Sequence, residues 1–431
     1  MINKEIIKIL IAEYQQKVIE VSFVERPYII EDKLNYVFVG LRRVGKSYLM
    51  FQQIRHLIAT GHVAKEILYF NFEDDRLSSL EITDLDLIKV SYEEMFDTKP
   101  IFFLDEIQIV DKWEKFARRL ADQGYRVYIT GSNARMLSSE IATTLGGRFM
   151  IQHIYPFSFQ EYLGLSDIDL NDRNTIYRKR TEIIKLYNTY FRYGGLPEVV
   201  NVSDKRQWLS SLYQRIFFGD LISRYQIRND FALRVLIRKI AENVKRPTSF
   251  NRLANVVSAS GKRISTDTVI DYLEYLKETW MVIQLENICA KLAEKESNKK
   301  YYFIDNGLLN LFLIDPVTSL LENQVAIRLR QLYGDDVYFY HHGVEVDFYI
   351  PEIQLAVQVC YSLSDIETRQ REVNALTKMA KHLEVKLMMI ITKEEEDVIE
   401  TDGCSIQVLP VWRWLMENGK VFSTSPTDQC N

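Results

Sequence analysis

The chain has 431 residues, is 47% hydrophobic and 26% charged, and carries a formal net charge of −5. That length exceeds one ordinary core and predicts two or three domains, while the near-balanced charge excludes a globally basic nucleic-acid binder and requires any basic surface to be local. The cysteines Cys289, Cys360, Cys404 and Cys430 are far apart and form no CxxC pair, which excludes a local zinc knuckle and gives no sign of a disulfide framework. No apolar run reaches the roughly 18 residues of a bilayer span, and Met1-Ile2-Asn3-Lys4-Glu5 opens an amphipathic pattern rather than a signal h-region. A cytoplasmic protein with no membrane contact is expected.

Residues 2–20 read as a helix with Ile6, Ile7, Leu10, Ile11, Tyr14 and Val18 on one face. Strands then alternate with helices: Tyr36–Val39, Ile67–Phe72, Ile101–Leu104, Arg126–Thr130 and Phe149–Ile154. Five short apolar strands with helical crossovers predict an α/β fold whose parallel sheet is covered on both faces. From about 158 to 300 aromatic-rich helices dominate. After Pro316 the pattern predicts a helix (318–332), a strand pair (337–350), a strand (355–361), a long helix (365–382) and a strand (385–391), a second, small α/β unit. The Glu394-Glu395-Glu396-Asp397 run reads as a solvated charge cluster, and the tail after Val421 as frayed.

Gly40-Leu41-Arg42-Arg43-Val44-Gly45-Lys46-Ser47 satisfies GxxxxGK[ST], with a strand entering and a helix, opening at Tyr48, leaving. The glycines let main-chain N–H groups curl around phosphate oxygens, and the helix N-terminus adds its dipole. Lys46 is placed to reach the β- and γ-phosphates of ATP, and the Ser47 hydroxyl to bind Mg²⁺. Downstream, the apolar strand Ile101-Phe102-Phe103-Leu104 ends in Asp105-Glu106, delivering carboxylates to the sheet edge where ligands bind in open α/β folds. Asp105 is the expected Mg²⁺ ligand and Glu106 the base or orienter for an attacking water. A further strand ends in Thr130-Gly131-Ser132-Asn133. Ser132 and Asn133 either sense the γ-phosphate or cap the next helix. The acids Glu73, Asp74 and Asp75 end a strand on the same side, as Mg²⁺-shell or helix-capping groups.

These residues resemble the AAA+-like ATPases of the signal-transduction and archaeal ATPase clade, and within it the group that joins such an ATPase to a C-terminal domain of unknown function. The likeness continues through Asn71-Phe72-Glu73-Asp74, Gly146-Gly147-Arg148, Tyr155-Pro156-Phe157-Ser158-Phe159-Gln160-Glu161-Tyr162 and Gly194-Gly195-Leu196-Pro197. It implies ATP hydrolysis, with Arg148 as an arginine finger acting in cis or in trans, the second reading being a surface arginine at a strand start. It also implies that Pro197, in a GxP element, packs near the adenine and that a winged helix-turn-helix spans residues 231–286; Arg148 acting in trans would imply a homo-oligomer, while in cis it would allow a monomer.

From Arg224 through Arg263 ten Lys or Arg stand against two acids, Asp230 and Glu242, a local excess able to neutralise phosphates. The helix that would read a major groove, Thr266 to Thr279, instead shows an outward stripe of Asp267, Asp271, Glu274 and Glu278, opposite Val269, Leu273, Leu276 and Trp280. A nucleic-acid partner met through the basic segment 224–263 and a protein partner are thus both open. Asp220 and Arg224 have the spacing of an intrahelical ion pair.

The C-terminal order of elements resembles the restriction-endonuclease-like PD-(D/E)xK fold, which implies metal-binding positions at Glu322, Asp347 and Gln358. The E-x-K position reads Gln358-x-Cys360, and no lysine occurs between Lys300 and Lys378, leaving Lys378 and Lys381 as sources of an ammonium. An inactive or binding-only fold is expected. The domain expectation is 1–163 (ATPase), 164–310 (helical lid and winged helix) and 311–431 (endonuclease-like). The functional expectation is an ATP-driven switch controlling DNA or protein interaction, with an ATP-regulated, metal-dependent DNA nuclease as the alternative.

Overall fold

The computed structural model describes residues 3–132, 143–166, 168, 172–261, 263–401 and 403–417. The five expected N-terminal strands all form: β1 (Asn35–Val39), β2 (Ile67–Asn71), β3 (Ile101–Asp105), β4 (Val127–Gly131) and β5 (Phe149–His153). They lie in the order β2-β3-β4-β1-β5, every pair parallel. Parallel strands need crossovers that cover the faces, and Phe38, Phe102, Phe103 and Ile129 are accordingly buried completely. Phe103 stacks on Tyr128 at 4.5 Å between ring centroids, in line with the sequence's preference for aromatic strands.

Helix α1 (Lys4–Glu20) begins at an Asn3 cap and buries Ile7, Leu10, Ile11, Tyr14 and Val18. The Tyr14 ring meets Tyr69 and Phe70 of β2 edge-on, at 5.7 and 5.8 Å, so α1 covers that strand. Helix α2 (Lys46–Ala59) leaves the loop after β1. Helices α3 (Leu85–Phe96) and α4 (Trp113–Asp122) are the crossovers into β3 and β4.

The chain divides into two compact units, Met1–Tyr155 with Glu278–Trp280, and Pro156–Lys277 with Met281–Asn431. In the second unit α5 (Phe159–Leu163), α6 (Arg173–Arg178), α7 (Arg180–Tyr193) and α8 (Lys205–Arg215) come first. Helix α8 runs on as a π-helical segment, Ile216–Ser223, where Asp220 pairs with Arg224 at 3.1 Å. Then follow α9 (Asp230–Glu242), β6 (Thr248–Ser249), α10 (Phe250–Ala259), α11 (Thr266–Glu278) and β7 (Val282–Leu285). After α12 (Leu292–Ser297), β8 (Asn298–Phe303) lies between β6 and β7 in an antiparallel sheet. The apolar face of α11 buries Val269, Tyr272, Leu273 and Leu276. Trp280 is not on that stripe: the helix ends at Glu278, and Trp280, at φ 60°, turns its indole to the His153 ring 5.2 Å away.

Helices α13 (Asn306–Asn310) and α14 (Val317–Tyr333) lead into a six-stranded mixed sheet in the order β13-β14-β12-β11-β10-β9. Its strands are β9 (Tyr338–His342), β10 (Val344–Ile350), β11 (Leu355–Val359), β12 (Leu387–Thr392), β13 (Asp397–Thr401) and β14 (Cys404–Pro410), with α15 (Ile366–Ala380) between β11 and β12 and α16 (Val411–Met416) last. The β13–β14 hairpin and α16 extend the sheet past the elements the sequence pattern predicted; β13 is exposed along much of its length and starts inside the acidic run, so it carries no apolar signal. Helix α14 is buried all round from Leu320 to Leu329, which makes the helical region and the C-terminal sheet one unit. Its polar residues are hydrogen-bonded: Asn323 accepts from Phe303 N at 2.7 Å and donates to Phe303 O at 3.0 Å. No described helix is long and apolar enough to cross a membrane.

The Gly194-Gly195 pair packs on a buried carboxylate. Asp305 accepts from the main-chain N–H groups of Gly195 (2.8 Å), Gly307 (2.8 Å) and Leu308 (3.3 Å). A Cβ on Gly194 would stand 2.1 Å from the Asp305 oxygens, so this glycine is a steric requirement. Burial pushes the Asp305 carboxyl from its ordinary 3.8 up to about 6 against the pull of those three N–H groups. The folded chain therefore holds its proton more tightly than the unfolded chain, and this contribution to stability is full below about pH 4 and lost as pH rises through 6. Urea titrations should show the wild type losing more stability than Asp305→Asn between pH 4 and 6, and parallel pH profiles would rule this out.

Candidate nucleotide site

The loop from Gly40 to Gly45 joins the carboxyl end of β1 to the first turn of α2. Gly40 (φ 152°), Arg43 (φ 63°) and Gly45 (φ 97°) take the positive-φ conformations that curl the chain. A Cβ on Gly40 would stand 2.2 Å from the Ile154 carbonyl oxygen, so the first glycine of the pattern is set by close packing. Leu41 and Val44 are buried and anchor the loop, whereas Arg42 pairs with Glu73 at 3.0 Å. Tyr48, half-exposed in the first turn of α2, packs edge-on against Phe51.

The Lys46 ammonium donates to the carbonyls of Gly40 and Leu41, both at 3.2 Å, and stands 3.6 Å from Glu106 Oε1. Beside it the Ser47 hydroxyl lies close enough to Asp105 to help hold its carboxylate ionised. Asp105 also accepts from the Thr130 hydroxyl and from Tyr69 Oη at 2.6 Å. Burial raises the Asp105 carboxyl above its ordinary value and the Glu106 charge adds to this, while the hydrogen bonds from Thr130, Tyr69 and Ser47 oppose it. Glu106 accepts from Gln108 and from Ser132 Oγ at 3.2 Å. Burial pushes its carboxyl up too, but the Lys46 ammonium, those hydrogen bonds and the field of Arg42 outweigh burial and hold it below the ordinary value.

A hydroxyl and a carboxylate in contact at the foot of a phosphate-binding loop suit Mg²⁺, which takes one or two protein oxygens and completes its octahedron with water and substrate phosphates. The absence, among the described residues, of a cluster of three or more potential ligands is compatible with such a site.

Of the acids after β2, Asp74 caps the turn Asp75–Leu77 and is held near 2, first by Arg76, so it acts as a cap. Ser132 faces Glu106, and Asn133 lies outside the described residues. Arg148 is not brought to this edge. It precedes β5, its carbonyl accepts from Asn35 at the amino end of β1, and its guanidinium pairs with Asp122. Roughly 16 Å of strand separate that end from the P-loop. Pro197 starts a 3₁₀ turn, Pro197–Asn201, in the second unit. Glu322 of α14 and Asp347 of β10 do come together, on the Lys300 ammonium of β8, and Gln358 accepts from the Asp347 N–H. Burial, with the Asp347 charge, pushes Glu322 up to about 7, and burial also opposes the charge on Lys300, but the surrounding anions raise its pKa well above the ordinary value.

Sequence reasoning missed Thr130, Tyr69, Gln108 and Lys300. Tyr69 had a signal: two residues before the end of β2, it is level with Phe103, two residues before Asp105 on the adjacent β3. Lys300 had one as well, since alternation along Lys300-Tyr301-Tyr302 puts Lys300 and Tyr302 on one face.

A phosphate-binding loop between strand and helix, facing paired acids on a nearby parallel strand, defines an AAA+-like P-loop domain. Residues 32–163 match the family described as AAA domain, and residues 184–317 match a domain of unknown function, DUF8612. The chain belongs to the family of an uncharacterized protein of Methanocaldococcus jannaschii, MJ1544, which is 33% identical over 405 residues, covering 90% of this chain and 89% of the relative. An uncharacterized protein of Haemophilus influenzae is 30% identical over 393 residues, covering 88% and 94%. Among solved structures, a Walker-type ATPase of Pyrococcus abyssi aligns over 72% of this chain and 96% of that one, at TM-score 0.40 and 14% identity. The Aeropyrum pernix Orc1 protein in complex with DNA aligns over 74% and 94%, at TM-score 0.27 and 12% identity.

The Thr130 hydroxyl donates to Asp105 and accepts from Glu106 N at 2.9 Å, so one side chain positions both acids. Thr130→Val keeps the shape but strips a partner from two buried groups. It should cost about 1–3 kcal/mol in chemical denaturation and weaken Mg²⁺-dependent nucleotide retention; an unchanged denaturation midpoint would count against this role.

Proposed function

We propose that this chain binds ATP with Mg²⁺, hydrolyses it, and uses the cycle as a conformational switch that controls an interaction of its second unit. The observation that carries the reading is the convergence at one sheet edge of the Lys46 ammonium, the Ser47–Asp105 contact and the Glu106 carboxylate. Gly40 to Tyr48 cradle the phosphates, Ser47 and Asp105 hold the magnesium, and Ser132 reports on the γ-phosphate through Glu106. Bound Mg²⁺ neutralises charge on the phosphates. Glu106, ionised and hydrogen-bonded, orients and accepts a proton from water. Because Arg148 lies at the far edge of its own sheet, its role as a finger requires a neighbouring subunit.

The order α9, β6, α10, α11, β7, β8 supports a winged-helix reading of the middle region, and the C-terminal sheet supports an endonuclease-like fold. Within the basic segment Arg224, Arg234 and Lys239 are tied to acids. Arg228, Arg238, Arg246, Arg252 and Arg263 are exposed, a set that suits a nucleic-acid backbone. A protein partner is the second reading, favoured by the exposed acids Asp267, Asp271 and Glu274 on α11.

Purified protein should retain ATP in a Mg²⁺-dependent way and release phosphate. Lys46→Ala should abolish retention, and Glu106→Gln should keep it while slowing turnover about 10²-fold or more. Arg148→Ala should also lose turnover, and mixing in Lys46→Ala protein, which brings an intact Arg148, should restore it. No saturable ATP retention by the wild type would end this reading. For the output, duplex DNA titrated across salt should show a steep loss of affinity, its slope reduced when Arg238 and Arg252 are replaced by Glu and its midpoint moved by ATP. A flat salt response would transfer the output to a protein.

A further inference from the structure

The endonuclease-like arrangement calls for a divalent cation on Glu322, Asp347 and Gln358, and a lysine beside the third position. The structure gathers these side chains, but around an ammonium group from a different element. Lys300, on β8, places Nζ 2.8 Å from Glu345 Oε1, 3.1 Å from Asp347 Oδ1 and 3.4 Å from Glu322 Oε1. The ammonium donates to Asp347 and Glu322, and Glu345 completes the set as an ion-pair partner. Lys300 is 0% exposed, Glu322 4% and Asp347 7%.

Further hydrogen bonds converge on these carboxylates. Tyr302, on the same face of β8, donates to Glu322 Oε1 at 2.7 Å. Asp347 Oδ2 accepts from Val359 N at 2.9 Å. Gln358 spends its oxygen on Asp347 N at 3.1 Å and its amide nitrogen on Glu372, which Arg371 pairs in turn. The neutral oxygen that would have to serve as the third ligand thus already has a main-chain partner. With the ammonium set among the carboxylates and the Gln358 oxygen held by a main-chain N–H, the side chains as they stand do not fit a resident divalent ion.

The geometry points to Lys300 as the built-in cation of this cluster: it stands where a divalent metal would stand, excludes it, and leaves a latent metal site on Glu322, Glu345 and Asp347. A buried ion pair that loses one partner leaves uncompensated charge, so removing the ammonium creates a strong demand for another cation. The same contacts rivet β8 of the three-stranded sheet to α14 and to β10. The C-terminal sheet and the β7–β8 hairpin are then one rigid element, and the ammonium contributes fold rather than phosphodiester cleavage. This inference is independent of the nucleotide site.

The test is Mn²⁺ binding to nucleotide-free full-length protein, followed by electron paramagnetic resonance, with Asp105→Asn in every sample to silence the P-loop. On that background the chain with Lys300 intact should bind no ion that Asp347→Asn removes. Lys300→Ala should bind one ion per chain, at least tenfold more tightly than its parent, and should lose it when combined with Asp347→Asn. An ion in the parent that Asp347→Asn abolishes would overturn the inference, as would a folded Lys300→Ala protein that binds no more Mn²⁺ than its parent. If Lys300→Ala does not fold, plasmid nicking in Mn²⁺ decides with Lys300 intact, comparing wild type with Asp347→Asn: nicking lost in Asp347→Asn overturns the inference, and no nicking by either protein supports it.

Discussion

Two consecutive acids can serve one site only if the chain turns between them, because neighbours on a strand point to opposite faces. Asp105 ends β3 in strand geometry, and Glu106 adopts φ 55°, a left-handed conformation uncommon for a residue with a side chain. That single turn lets Asp105 meet Ser47 while Glu106 meets Lys46. The Thr130 hydroxyl fixes it from the adjacent strand by holding the first carboxylate and the second N–H together. Strain of this kind persists only where the surroundings over-determine it, and here they do so where two carboxylates and the Lys46 ammonium converge.

The same chain contains a second lysine among carboxylates, and the comparison shows what separates a ligand site from an ionic core. Lys46 spends its hydrogen bonds on two main-chain carbonyls and faces one carboxylate at 3.6 Å. Lys300 pairs with three carboxylates at 2.8 to 3.4 Å. The first arrangement leaves an ammonium on a loop whose N–H groups are built to face anions. In the second, the counter-charge is already present.

Elsewhere in the second unit, helices are registered by buried polar groups that would be costly unpaired. Asp305 binds three main-chain N–H groups, and Asn323 satisfies both the N–H and the carbonyl of Phe303. Asn306 donates to the carbonyls of Phe191 and Leu320. Apolar surface alone would let these helices slide. One donor matched to one acceptor gives each a single position.

Much of the first unit was legible because its requirements are local in the chain. The loop pattern with its glycines, the apolar strands, the two acids after one of them and the amphipathic α1 each draw their physics from residues within a few positions. The Gly194-Gly195 pair was legible only as a turn; its steric reason, the Asp305 carboxylate, lies 110 positions from Gly195. Distance along the chain also hid the Thr130 bridge, the edge on which Arg148 stands and the Lys300 cluster, where the ammonium meets carboxylates 22 and 47 positions away. The sequence by itself determined that a phosphate-binding loop and its acids exist, because curling a loop and ending a strand are decisions of neighbouring residues. Only the tertiary structure decided which charges face one another, because a charge is satisfied by whatever the fold brings within about 3 Å of it, wherever that group lies in the chain.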